Sequence, residues 1–133
     1  MSENLQQANT NQQGRMRVLR TRLRYSDDGG AVTLGVLPAG SLLMALYAYV
    51  EETFDDSGTD TLVVGRTGDG DAYAKTVDVD LTSTGLTTSF TGDEAMPQVV
   101  SAETTITAEY AGQNDDATQG AVTVTIVYGT CGI

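Results

Sequence analysis

Ser41-Leu42-Leu43-Met44-Ala45-Leu46-Tyr47-Ala48-Tyr49-Val50-Glu51-Glu52 is the stretch on which the fold turns. Leu, Met, Ala and Glu are strong helix formers, and Ser41 stands where an N-cap would stand, so local propensity alone favours a three-turn helix. As a strand, the same residues place Leu42, Met44, Leu46, Ala48 and Val50 on one face and Leu43, Ala45, Tyr47 and Tyr49 on the other. Both faces are then apolar, as in a strand covered on its second side by a partner. The surroundings decide between the two. The chain has twenty threonines, thirteen valines, two prolines and fifteen glycines, the composition of short β-branched strands joined by Gly/Asp turns. Residues 41–52 are therefore read as a strand.

Outward from it, alternation marks further strands at 15–25, 31–36, 61–66, 75–81, 86–91, 102–110 and 121–128, separated by Asp27-Asp28-Gly29-Gly30, Leu37-Pro38-Ala39-Gly40, Gly68-Asp69-Gly70, Ser83-Thr84-Gly85, Gly92-Asp93 and the segment 112–120. Within 15–25 the alternation slips at Val18-Leu19; a β-bulge there would keep all five arginines on one face. About eight antiparallel strands fit an all-β sandwich, of which the jelly roll is the expected form. A chain of 133 residues buries one core. The expected division is an extended N-terminal arm, 1–14, and one sandwich domain, 15–133. The Gln/Asn-rich arm is too polar to offset its own conformational entropy and needs a neighbour to become ordered.

The chain has no His, one Cys (Cys131) and a net charge of -11. The missing His removes Ser-His and Cys-His nucleophile pairs, proton shuttles at neutral pH and imidazole metal ligands. A lone Cys leaves neither an intrachain disulfide nor a Cys-rich zinc site, and Cys131 reads as an idle thiol. The longest apolar run, Leu42 to Val50, is too short to cross a membrane as a helix, and residues 1–13 lack the pattern of a secretory leader.

The charge is unevenly placed. Arg15, Arg17, Arg20, Arg22 and Arg24 against Glu3 make residues 1–24 +4, and the remaining residues, with Arg66 and Lys75 against 17 carboxylates, are -15. A basic segment on an acidic body favours contacts between copies or docking on an acidic neighbour. The five arginines, together with Tyr47 and Tyr49, are the candidate interface. Arg suits bidentate salt bridges to carboxylates. Nucleic-acid binding by the arginines with Tyr25 as a stacking residue is disfavoured by the -15 body.

No catalytic or cofactor-binding set emerges. Asp69-Gly70-Asp71 is the best candidate for a hard cation, yet it lacks the further ligands of an EF-hand loop and reads first as a solvated turn. Asn114-Asp115-Asp116 and Asp55-Asp56 read as turn formers. Glu51-Glu52 with Asp55-Asp56 has nothing to mark a buried, high-pKa acid of a glycosidase pair.

The run Leu34-Gly35-Val36-Leu37-Pro38-Ala39-Gly40, the long apolar strand after it, Phe54, the turn 55–60, Thr61-Leu62-Val63-Val64-Gly65, Asp69-Gly70-Asp71, Tyr73 and the closing stretches 106–110 and 122–128 together resemble tailed-phage head decoration, or minor capsid, proteins over roughly residues 30–128. That resemblance implies a jelly-roll or β-sandwich subunit, usually a homotrimer, sitting on a capsid lattice with its arm over neighbouring subunits. The implied partners are the major capsid protein and the chain itself, with no nucleic acid, no membrane and no cofactor. The implied location is the capsid surface of a virion, after synthesis in the host cytoplasm. The other reading, a head- or tail-fibre module that recognises a cell surface through its loops, or a tail accessory protein, differs in where the arm goes.

Overall fold

The computed structural model describes residues 16–130. Arg15, Cys131 and the arm 1–14 lie outside the described residues. Nine strands follow in order: β1 (Arg17–Arg24), β2 (Ala31–Leu37), β3 (Ser41–Glu52), β4 (Asp60–Arg66), β5 (Asp69–Ala74), β6 (Gly85–Thr87), β7 (Gln98–Val99), β8 (Thr104–Gly112) and β9 (Ala121–Thr130). One 3-10 turn, Tyr25–Asp27, follows β1. All pairings are antiparallel. One sheet runs β1-β9-β3-β6, with β7 also on β3, and the other runs β2-β8-β4-β5. Setting aside the two-residue β7, this is the strand order of a jelly roll, in which the chain repeatedly crosses from one sheet to the other.

The core lies between the sheets. Leu23, Leu43, Leu46, Val50, Val122, Val124 and Ile126 of the first sheet face Leu62, Val64, Ile106, Ala108 and Tyr110 of the second, all buried. Phe54 closes one end against Tyr110, ring centroids 4.5 Å apart, and the Tyr110 hydroxyl donates to Asp60 Oδ1 at 2.6 Å.

Residues 41–52 form a strand. Ser41 caps no helix; its hydroxyl donates to the Pro38 carbonyl at 2.7 Å. That contact holds the turn in which Gly40 takes a φ of +85°, a conformation glycine adopts without cost. The bulge expected at Val18-Leu19 is not there, because β1 pairs with β9 without interruption from Arg17↔Tyr128 to Arg24↔Ala121. With strict alternation, Arg17 shares the parity of Leu19, Thr21 and Leu23, while Arg20, Arg22 and Arg24 share the outer face with Val18. β3 slips against β9 twice, between Leu43↔Tyr128 and Ala45↔Val127, with Met44 as the extra residue, and between Val50↔Val122 and Glu52↔Ala121, with Glu51 as the extra residue; the first slip matters for the core. It reverses the expected faces at the start of the strand. Leu43 joins Leu46, Ala48 and Val50 in the core, and Leu42 does not.

The strand expected over 75–81 is instead a series of turns. Asp78 accepts from the Lys75 amide at 2.8 Å and Asp80 from the Thr82 amide at 2.9 Å, local bonds that compete with a sheet ladder. Val79 and Leu81 are nonetheless buried, while Val77 is exposed. The ladder is supplied by β5, so Asp69-Gly70-Asp71 lies in a strand and not in a loop.

Candidate interaction face

The outer face of the first sheet gathers most of the residues that the sequence marks as an interface. Because β9 pairs with both β1 and β3, its register lines up distant parts of the chain. Arg20, Thr125 and Tyr47 form one cross-strand row; Arg22, Thr123, Tyr49 and Leu86 form the next. Val18, Val127 and Ala45 continue the face toward the start of β1. Tyr47, Tyr49, Val18 and Leu86 are 37%, 49%, 52% and 60% exposed. Aromatic and aliphatic groups rimmed by arginine are the composition of a protein-binding surface.

The charge on this face is positive. Glu51 lies 3.4 Å from Arg22 Nε and also accepts the Thr123 hydroxyl. Among the described residues, Arg17, Arg20 and Arg24 have no carboxylate within salt-bridge distance. The Arg22–Glu51 pair is largely exposed and contributes little to stability, so these guanidinium groups remain available to an acidic partner. Arg17 stands at the strand end with the other parity and is separate from the row of Arg20, Arg22 and Arg24.

The acidic candidates sort differently. Asp69 and Asp71 come together with Asp93, one carboxylate oxygen of each lying within 4.8 Å of the others. The loop carrying Asp93 is remote in sequence, and only the packing of that loop on β5 reveals it. Hydrogen bonding to Asp69, then burial and the Asp93 charge, push the Asp71 carboxyl above its ordinary range. Lys75 Nζ, 2.9 Å from Asp93, holds Asp93 below it and takes up part of the local negative charge. Three oxygens beside an ammonium group are a weaker cation site than three oxygens alone.

Asp55 and Asp56 hold loops. Asp55 accepts the Thr118 amide and hydroxyl, both at 2.6 Å, and the Thr118 hydroxyl is the main reason its pKa lies below normal. Asp56 accepts the amides of Gly58, Asn114 and Asp116 at 2.7, 3.1 and 3.2 Å. Burial pushes Asp56 up, but these donors outweigh it and the pKa falls. Glu52 accepts the Gly120 amide at 3.0 Å. These three carboxylates hold main-chain amides of the loops that follow β3 and β8.

Comparison with protein-family models finds no match, and comparison with curated protein sequences finds none. Two solved structures share the fold. A chain of the "acidic stable capsid structure of Helicobacter pylori bacteriophage KHP30" superposes with a TM-score of 0.65 at 17% identity, over 86% of this chain and 86% of that one. A chain of the "Cyanophage Pam1 capsid asymmetric unit" superposes with a TM-score of 0.64 at 16% identity, over 87% of this chain and 85% of that one. Nearly equal coverage in both directions means that each matched chain is about as long as this one.

Proposed function

We propose that this chain is a virion structural protein, a decoration or cement subunit that binds the assembled head shell of a tailed phage as a homotrimer. The observation that carries the reading is the arginine-rimmed tyrosine face, on a sandwich that resembles small chains of two phage capsids. Arg20 and Arg22 make charge-assisted contacts with carboxylates of the shell, and Tyr47 and Tyr49 supply apolar area. A subunit that binds only the assembled shell stabilises it by mass action. Three linked copies raise the strength of individually weak contacts through effective concentration.

The test is to add purified protein to shells that lack it and to count bound copies by cryo-electron microscopy. A trimer at each lattice site is expected, and light scattering of the free protein gives its mass. R20E/R22E and Y47A/Y49A should each empty the sites while leaving circular dichroism unchanged. Full occupancy by both double variants, or only a few copies per particle as in a fibre or connector, would sink the reading.

A further inference from the structure

Tyr73 is 1% exposed and its hydroxyl has no hydrogen-bond partner among the described residues. It lines an open groove of about 610 Å³ at the end of the second sheet, whose walls include Arg66, Thr67, Glu94, Val99 and Thr104. The groove is built into the fold. The Glu94 amide donates to the Ala72 carbonyl at 2.8 Å, and a Cβ on Gly92 would collide with the main chain of Ala72 and Tyr73, so the loop is packed tightly on β5. A buried hydroxyl left unpaired is costly, and native proteins seldom keep one without a partner or a use.

The groups beside it select the ligand. Arg66 Nε donates to Glu94 Oε2 at 3.1 Å, and Glu94 Oε1 accepts from none of the described residues. The hydroxyl can donate to a carbonyl oxygen and Glu94 Oε1 can accept from an N–H. A carboxylate would meet the Glu94 charge and an ammonium would meet Arg66. A neutral carboxamide satisfies both open positions at once.

The chain carries such groups within reach. Residues 2–14 hold seven carboxamides between Asn4 and Gln13, whereas the residues after Thr130 hold none. In the first sheet Arg17 pairs with Tyr128, Tyr128 with Leu43, and Leu42 with Val99, which lines the groove. The start of β1 is thus three strand spacings from it, about 14 Å, and thirteen extended residues span about 43 Å.

We propose that this groove is the docking site of the Gln/Asn-rich segment 2–14, from the same or a neighbouring copy, with a carboxamide bridging the Tyr73 hydroxyl and Glu94. This goes beyond the capsid reading and is tested without a capsid. The full chain is made with the photo-crosslinker p-benzoylphenylalanine in place of Val99, irradiated in solution and digested with trypsin. Adducts should map to the peptide ending at Arg15, and a mixture of ¹⁵N-labelled and unlabelled chains shows whether they join one copy or two. Y73F should keep the circular dichroism of the parent and lower the adduct yield about fivefold, the effect of one lost hydrogen bond; E94Q, which keeps the shape of the side chain, should also lower it. Adducts confined to other segments, an absence of adducts, or a yield that neither variant changes would overturn the proposal.

Discussion

Replacing Leu43 and Leu42 separately by alanine tests the slip at Met44, which decides which of the two leucines faces the core. Leu43 is 0% exposed and packs between the sheets; its neighbour Leu42 is only partly buried. Truncating a fully buried leucine removes its transfer free energy and leaves a cavity, about 2–5 kcal/mol in all. The same change at Leu42, which is only partly buried and lies outside the core cluster, removes less buried area and leaves no closed cavity, about 1 kcal/mol. At about 4 °C of melting temperature per kcal/mol for a domain of this size, L43A should melt about 8–20 °C below the parent and L42A only a few degrees below. Thermal and urea unfolding followed by circular dichroism at one fixed protein concentration measure both, since an oligomer's midpoint depends on concentration. Without the slip, strict alternation from Leu46, Ala48 and Val50 would bury Leu42 and expose Leu43. A larger loss in L42A than in L43A would therefore refute the slip at Met44 and the placing of Leu43 in the core.

Three further outcomes follow from individual contacts. E51Q should shift stability by less than about 0.5 kcal/mol, because the Arg22–Glu51 pair is 45% and 32% exposed at its two side chains; a large loss in urea melts would show that the pair is structural. Asp78 accepts the Lys75 and Thr91 amides and the Thr91 hydroxyl, and although burial pushes its pKa up, these donors bring it below normal. Such a group holds its proton less tightly when folded, so its contribution is complete above the unfolded carboxylate pKa near 4 and is lost as pH falls through the lower folded value. D78N should thus melt lower at pH 7, by about 1 kcal/mol, and lose less than the parent between pH 5 and pH 2.5; an unchanged acid limb would count against this. Asp60, Asp71 and Asp115, with raised pKa values, have the opposite sign and soften that limb. Finally, G92A must displace the Tyr73 and Ala72 main chain and should cost about 1–3 kcal/mol in thermal unfolding.

The existence of the strands was legible where apolar and polar residues alternate, as in Thr104–Gly112 and Ala121–Thr130. It was also legible in Ser41–Glu52, where β-rich neighbours outweigh helix propensity. What alternation cannot show is register in a strand that is apolar on both faces. With no polar residue to mark the wrong side between Ser41 and Val50, the extra residue at Met44 leaves no trace in the sequence. In β1 the reverse happened, since five arginines suggested a single face that regular pairing with β9 does not provide. Lys75–Leu81 imitates a strand because Val77, Val79 and Leu81 alternate with Thr and Asp, but the aspartates bond to nearby amides and close turns. The third carboxylate beside Asp69 and Asp71, and the groove at Tyr73, arise from a loop folded back on β5. No local pattern encodes that contact.

The arginines of β1 and the tyrosines of β3 are more than twenty residues apart, and neither segment alone announces a shared surface. They meet because β9 is flanked on both sides and contributes only Thr123, Thr125 and Val127 to the outer face. These short side chains leave the longer Arg20, Arg22, Tyr47 and Tyr49 standing proud on either side. The total of -11 conceals this, since a patch with three arginines and one glutamate sits on a body whose other charges are nearly all carboxylates. Exposed charges separated by more than about 8 Å are screened at physiological salt, so a partner docked here meets the local positive patch and not the negative sum. The segregation also works against misassociation, because a second copy presenting the same face brings arginine to arginine while an acidic surface does not. At contact it is therefore the sheet face, and not the net charge, that governs which surface can be met.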